Sequence, residues 1–306
     1  MIFSISHTTR YRYDAPISFC HNLATIRPRI SPGQKVLNFD LKISPEPSDI
    51  SERTDFFGNM ITHFSIQESH QKLTVASTST VERNYKAIKD SFASEACRKI
   101  TVNDALQVLA TTNTQEIIES KQFILDSILI RNTNEAIGDY AKVSFSPNRS
   151  VFDATYELMQ RIYTDFDFVS GFTTVSTPLT EVMEEKKGVC QDFAQIAIAC
   201  IRSMGLPARY VSGYIETLPP PGKKKLIGVD ASHAWFAVFI PNFGWVDFDP
   251  TNNQIPEDQH IVVGWGRDYY DVPPLKGVVF GSGSSTLKVS VDIRPAEEAK
   301  NLKIVL

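Results

Sequence analysis

A chain of 306 residues with 42% hydrophobic and 22% charged side chains has the composition of a globular protein with room for two cores. A formal net charge of −4, with no run of Lys or Arg, offers no field for nucleic acid, so no nucleic-acid partner is expected. No apolar run approaches the roughly 18 residues that a helix needs to cross a bilayer, and no apolar segment with a cleavage site opens the chain, so neither a membrane partner nor a secretory signal is expected.

Residues 1–90 read as β-structure. Met1–Thr8, Leu37–Ile43, Ile61–Ile66 and Leu73–Thr78 alternate apolar and polar side chains. Turn residues separate these runs, at Pro32-Gly33, Pro45-Glu46-Pro47 and Gly58-Asn59. Period-2 runs of this kind are half-buried antiparallel strands, and several short ones bury their apolar faces most simply as a β-sandwich. Residues 91–148 form a helical connecting segment, with Ile117-Ile118 and Phe123–Leu125 as its apolar marks.

A third region, 149–275, begins with Val151, Ala154, Leu158 and Ile162 at helical spacing behind Ser150 as N-cap. Next comes a short helix from Pro178 to Lys186, with Thr177 as its cap and Gly188 as its stop. A helix from Cys190 to about Met204 follows. Its apolar residues nearly encircle it, so it should be buried on most sides, and Gly205 and Pro207 end it. Three strands then run over Arg209–Tyr214, Ala234–Ile240 and Trp245–Phe248. Helices followed by an antiparallel sheet make the fold class α+β. A C-terminal segment, 276–306, contains one more alternating run, Thr286–Ile293, which either returns to the N-terminal β layer or extends the second sheet.

Three residues in this third region carry chemistry. Cys190 falls in the first turn of a buried helix, where the positive end of the helix stabilises a thiolate and the backbone N–H groups can face a bound oxyanion. His233 opens an otherwise apolar strand, held firmly and still reachable. Asp249 ends the next strand. The remaining histidines, His7, His21, His63, His70 and His260, lack such framing and read as structural or surface residues, and Cys200, deep in the same helix, reads as packing.

Strand register constrains the last pair. A four-residue turn after Ile240 would give paired positions the odd sum 485 and put His233 and Asp249 on opposite faces. A three-residue loop, Pro241–Phe243, or a one-residue bulge gives the even sum 484 and sets Asp249 diagonally across from His233 on one face. Asp247 has the same parity but would face Ala237, too far along to serve. Asp192, in the first turn with Cys190, reads as a helix-dipole or structural partner. Trp235, Trp245 and Trp265 read as core rather than as a groove lining. A zinc site from Cys190, His233 and Asp249 lacks a fourth ligand and a recognisable spacing, so neither a metal nor a cofactor is expected. Cys20, Cys97, Cys190 and Cys200 form no CxxC pair and no disulfide framework, which suits reduced thiols in a cytoplasmic setting.

Gly188–Ala194, Gly205–Tyr214, Ser232–Trp235 and Gly244–Thr251 together resemble the core of the bacterial transglutaminase-like superfamily, in the family's order. Asp55–Asn59 and the Tyr11–Tyr13 start are similar to the β-rich N-terminal region attached to many of these proteins, and Gly266–Pro274 to their C-terminal segment. The resemblance implies a papain-like core in which Cys190 is the nucleophile, His233 the general base and acid, and Asp249 the orienting carboxylate. It also implies acyl transfer from a peptide or protein amide, with hydrolysis favoured. Transfer to an amine and a non-catalytic scaffold are the alternatives.

Overall fold

The computed structural model describes residues 1–131, 134–217 and 231–296. Residues 297–306 of the expected C-terminal segment lie outside that range. The N-terminal strands are β1 (Ile2–Ile17), β2 (Phe19–Ala24), β3 (Gln34–Ser44), β4 (Asp49–Thr54), β5 (Met60–Ile66) and β6 (His70–Arg83). Helices α1 (Lys86–Phe92), α2 (Glu95–Arg98), α3 (Val102–Thr111), α4 (Gln115–Lys121), α5 (Glu135–Ser144) and α6 (Val151–Asp165) follow. Then come β7 (Asp167–Phe168), α7 (Leu179–Glu185), β8 (Lys187–Gly188), α8 (Cys190–Ser203), β9 (Ala208–Ile215), β10 (Ala231–Ile240), β11 (Gly244–Phe248) and β12 (His260–Gly266). The described chain closes with β13 (Leu275–Phe280) and β14 (Ser285–Pro295).

The alternation read from the sequence sorts side chains as a half-buried sheet requires. Along β1, Phe3, Ile5, His7 and Thr9 point inward and their neighbours outward. The N-terminal strands form two antiparallel sheets, β14-β1-β6-β3 and β13-β2-β5-β4. Tyr13, Ile17, Cys20, Phe64, Ile66 and Leu73 pack together from strands of both. The alternating run 286–293 thus returns to the N-terminal layer, as β14 paired with Phe3–Tyr13 of β1. A third sheet, β11-β10-β9-β12, carries His233 on β10, His260 on β12 and Asp249 in the loop after β11.

The N-terminal strands sit on this third sheet through a shared core. Phe3 and Ile5 of β1, Val81 of β6 and Val291 and Ile293 of β14 meet Tyr214 of β9 and Ile261 and Val263 of β12. Two side-chain amides complete the junction by acting as stand-ins for a neighbouring strand along the edge of β12. Gln34 donates to the Val262 carbonyl (2.7 Å) and accepts its N–H (2.9 Å). Asn59 does the same with Trp265, at 2.8 and 3.0 Å. An exposed strand edge invites foreign pairing, and these contacts satisfy part of it. The Asp55–Asn59 turn therefore has a mechanical purpose. Asp55 accepts from the Phe57 and Asn59 N–H groups and orients the Asn59 amide toward β12.

His7 ties the same two layers together and makes their union sensitive to acid. Its Nδ1 and Nε2 lie 2.8 Å from the Tyr214 and Thr9 hydroxyls, and burial pushes the imidazole down to about 4. The unfolded chain takes up this proton near pH 6.5 while the folded chain refuses it until about pH 4. The stabilisation is therefore complete above pH 6.5 and is lost as pH falls toward 4, by about 3 kcal/mol. Urea unfolding at pH 7 and pH 4.5 should show that loss in the parent and a smaller one in His7→Gln. Equal losses in the two proteins would remove His7 from the account.

The largest core lies on the other face of the third sheet, around α8. Residues Asp192 to Arg202 of that helix are all buried, against α5, α6 and α7 on one side and β9 and β10 on the other. The near-continuous apolar surface read from the sequence needs this many neighbours. Gly205, at φ 76, lets the chain turn out of the helix toward β9. Buried Arg202 fastens that exit by donating to the carbonyls of Leu125, Ala208 and Arg267.

Three local expectations differ from the structure. Thr177 does not cap the short helix; Pro178 occupies the N-cap, and the Thr177 hydroxyl accepts the Thr174 N–H instead. The helix stops at Lys186, in the left-handed region at φ 53, rather than at Gly188. The third sheet has four strands rather than three, because β12 pairs with β9.

Candidate active site

Gly188 has another purpose. A Cβ there would lie 2.7 Å from an Asp192 carboxylate oxygen, so a side chain would displace that carboxylate. Asp192 reaches back to accept the Val189 N–H (2.8 Å) and the Thr173 hydroxyl (2.6 Å). These bonds close the first turn of α8 as a capping acid does. They also commit Asp192 to the helix end, in keeping with its reading as a structural partner. Cys190, the first residue of α8, is half-buried, whereas Cys20, Cys97 and Cys200 are buried.

The hairpin β10–β11 follows the even sum. Ile240 pairs with Gly244 and Phe236 with Phe248, so Pro241–Phe243 is a three-residue connection. Asn242 (φ 71) and Gly244 (φ 81) adopt the left-handed backbone that so short a reversal needs. Pairing stops at Phe248, and the next residue, Asp249, turns its carboxylate onto His233, with Nε2 2.7 Å from Oδ2. Asp247 faces Ala237 and accepts from the Trp235 indole instead, at 3.1 Å. Across β9, the partner of His233 is Gly213, where a Cβ would meet the Trp235 ring at 2.4 Å and the Ile261 carbonyl at 2.3 Å. The strand pair closes around His233 because that position is a glycine.

Asp249 is fully buried and surrounded by donors. Oδ1 accepts the backbone N–H groups of Thr251 (3.0 Å) and Asn252 (3.3 Å). Oδ2 receives the Asn252 amide at 2.7 Å and, beside His233, a second imidazole, His260 Nε2, at 3.0 Å. Burial alone would push this carboxyl up, but the hydrogen bonds from the two histidines and the charge on His233 hold it well below the usual carboxylate range. Burial likewise works to lower His233. The Asp249 carboxylate on one side and the Cys190 sulfur, its hydrogen-bond partner on the other, outweigh burial and hold the imidazole well above the ordinary histidine range. With Nε2 taken by Asp249, Nδ1 is the nitrogen left to serve the sulfur.

The structure therefore brings Cys190, His233 and Asp249 together, with the imidazole between the sulfur and the carboxylate. Two contributors escaped the sequence reading. Asn252 follows the Asp-Pro-Thr turn and could have been suspected as a turn residue. His260 lies on β12, a strand that period-2 alternation does not mark because β12 is buried almost throughout.

The tryptophans fill space. Trp235 is buried, and Trp245 and Trp265 sandwich the Arg209 guanidinium at 4.3 and 3.8 Å. Arg29, from the N-terminal region, stacks on Trp265 at 3.6 Å.

His233, Asp249 and His260 offer ligand atoms within 4.8 Å of one another, the spread of a metal site. Their 2.7 and 3.0 Å separations are hydrogen-bond distances, however. Two donors on one tetrahedral zinc stand roughly 3.3 Å apart at ordinary bond lengths. The group is better described as two imidazoles sharing a carboxylate.

Residues 140–250 match the transglutaminase-like superfamily, and residues 3–82 match the bacterial transglutaminase-like N-terminal region. An uncharacterized protein of Mycobacterium tuberculosis is 40% identical over 302 residues, which span 96% of this chain and 93% of that protein. The chain belongs to the transglutaminase-like superfamily. A protein-glutamine gamma-glutamyltransferase of Pseudomonas aeruginosa is 34% identical over 77 residues, 25% of this chain and 12% of that protein. Among solved structures, one described as "a Putative Cysteine Protease from Cytophaga hutchinsonii" superposes with a TM-score of 0.73 at 22% identity, covering 96% of this chain and 90% of its own. This transglutaminase-like protein thus shares that structure's fold nearly end to end. Its most distinctive sequence blocks, around Cys190, His233 and Asp249, fall within the superfamily match.

Proposed function

We propose that this protein is a cysteine-dependent acyl-transfer enzyme acting on peptide or protein amides, with Cys190 as nucleophile, His233 as general base and acid, and Asp249 as orienting carboxylate. The observation that carries this reading is the relay from the half-buried thiol through His233 to a buried carboxylate that is fully occupied as an acceptor.

In this reading, His233 Nδ1 takes the thiol proton and the thiolate attacks the amide carbonyl. The N–H of Cys190, among those a helix start leaves without intrahelical partners, is the donor this reading assigns to the developing oxyanion. His233 then returns the proton to the leaving amine as the C–N bond breaks, which leaves a thioester on Cys190. Water, deprotonated by the same imidazole, attacks the thioester and releases the acid and the free thiol. Asp249 stays ionised throughout and holds the imidazole in the tautomer both transfers need. We favour hydrolysis. Transfer to an amine is the second reading, favoured by the local similarity to a protein-glutamine gamma-glutamyltransferase. The N-terminal strands fit a β-sandwich whose two sheets share the apolar cluster around Phe64.

Exposure alone would make Cys190 the fastest of the four thiols to alkylate, so a rate comparison at one pH is not enough. An ordinary thiol loses about tenfold in rate per pH unit below its ionisation. Cys190 should instead keep alkylating with iodoacetamide at pH 6 nearly as fast as at pH 8, and His233→Ala should restore the ordinary fall, about a hundredfold over those two pH units. A steep fall in the parent protein would sink the nucleophile. Turnover of a fluorescent peptide pool with and without added cadaverine then separates the acceptors. Free carboxylate as the only product, with the amine present, supports hydrolysis; amine incorporation supports transfer.

A further inference from the structure

The carboxylate at the centre of the relay has one more partner than the reaction needs. His260 is as deeply buried as Asp249 and donates to the same oxygen, Oδ2, that His233 uses. Its other nitrogen, Nδ1, is buried with no hydrogen-bond partner among the described residues. That asymmetry determines the proton. A donor at Nε2 is required by the ionised carboxylate. A second proton at Nδ1 would be buried without an acceptor, a costlier fault than an idle lone pair. The surroundings agree. The titratable and charged groups acting on His260 are Asp249, His233 and Arg83. Burial, reinforced by the two cations, outweighs Asp249 and lowers the imidazole. The Trp235 ring stands edge-on to it at 5.2 Å and helps keep the pocket apolar.

The two imidazoles on Asp249 therefore differ in kind. His233 touches the sulfur and gains and loses its proton in each turnover. His260 is fixed as a neutral donor. Donors on one acceptor oxygen compete: each added hydrogen bond spreads the carboxylate's charge and weakens its hold on the others. We propose that His260 is a positioning residue of this site, sharing the Asp249 carboxylate with His233 so that the anion keeps its orientation without holding the His233 proton too tightly for transfer to the leaving amine. This inference rests on the reading of Cys190, His233 and Asp249 as a catalytic relay.

The test can be kept apart from that reading by titrating the His233–Asp249 pair with the thiol removed. In the Cys190→Ala background, long-range 15N–1H spectra of histidine-labelled protein follow His233 directly. Replacing His260 by Leu should raise the His233 midpoint by on the order of one pH unit, the scale of one hydrogen bond to a charged group. His260→Gln, which carries an amide N–H at the reach of Nε2, should leave it within a fraction of a unit of its parent. A midpoint that stays in place in His260→Leu, or moves down, overturns the proposal, as does equal behaviour of Leu and Gln. Should His260→Leu fail to fold, the unaltered protein still decides. His260 must appear as the neutral Nε2–H tautomer from pH 7 to 9, and an Nδ1–H tautomer or an imidazolium overturns the assignment. In the active protein, His260→Leu should lower peptide-pool kcat about tenfold with KM nearly unchanged, and Gln should restore most of it. Failure of the relay itself would show separately, as a steep pH dependence of Cys190 alkylation in the parent.

Discussion

Cys190→Ala is expected to remove amide turnover, by on the order of 10⁴-fold or more, while leaving the protein folded. The substitution deletes one half-buried sulfur at the first position of α8 and nothing else. The helix start stays closed, since the Asp192 bonds to Val189 and Thr173 do not involve the thiol. His233 keeps Asp249, so the base survives without a nucleophile to serve. Thermal unfolding should therefore change little, and intact-mass spectra of protein mixed with a peptide pool should lack the acyl-enzyme adduct that the parent is expected to form. Retention of even a tenth of the parent turnover by Cys190→Ala would remove the thiol from the mechanism. Cys190→Ser is the stricter comparison, because it keeps the shape and the hydrogen bond to His233 while offering a much weaker nucleophile. It should be nearly as inactive as the alanine variant.

Asp249→Asn should damage both activity and stability, and the second effect separates it from Cys190→Ala. The carboxylate accepts from five groups: two backbone N–H groups on Oδ1, and His233, His260 and the Asn252 amide on Oδ2. An asparagine amide must place an NH₂ group against one of those two sets. Against Oδ2's partners it confronts three donors; turned the other way, it confronts the backbone of Thr251 and Asn252. No rotamer satisfies the site. Breaking a buried charged arrangement by altering one member costs about 3–5 kcal/mol, which urea unfolding will read directly. Turnover should fall on the order of 10³- to 10⁴-fold, because His233 loses the acceptor that fixes its tautomer. A variant that unfolds at the parent's urea midpoint yet turns over peptides at the parent's rate would show that Asp249 orients nothing.

The sequence determined what depends on neighbours in the chain. The first-turn position of Cys190, the apolar surface of α8 and the alternation of β1 and β6 all follow from periodicity and helix-terminus chemistry, which act over a few residues. The choice of Asp249 over Asp247 was also legible, conditionally. Parity required an odd connection after Ile240, and the three-residue turn Pro241–Phe243 supplies it. Local errors were of one sort. Thr177 had the right chemistry for a cap, and Gly188 for a stop, but each was claimed by a partner outside its own helix, Thr174 and Asp192.

Only the tertiary structure decided the contacts that cross the chain. β12 joins the sheet beside β9, and this pairing is what delivers His260 to Asp249. The same strand receives the amides of Gln34 and Asn59, more than two hundred residues away in sequence. A buried strand loses the period-2 signature because both its faces are apolar, and a histidine within it looks like any packed histidine. Which carboxylate such a histidine meets depends on sheet order and layer packing, and these depend on how much apolar surface the whole chain buries rather than on any local run of residues.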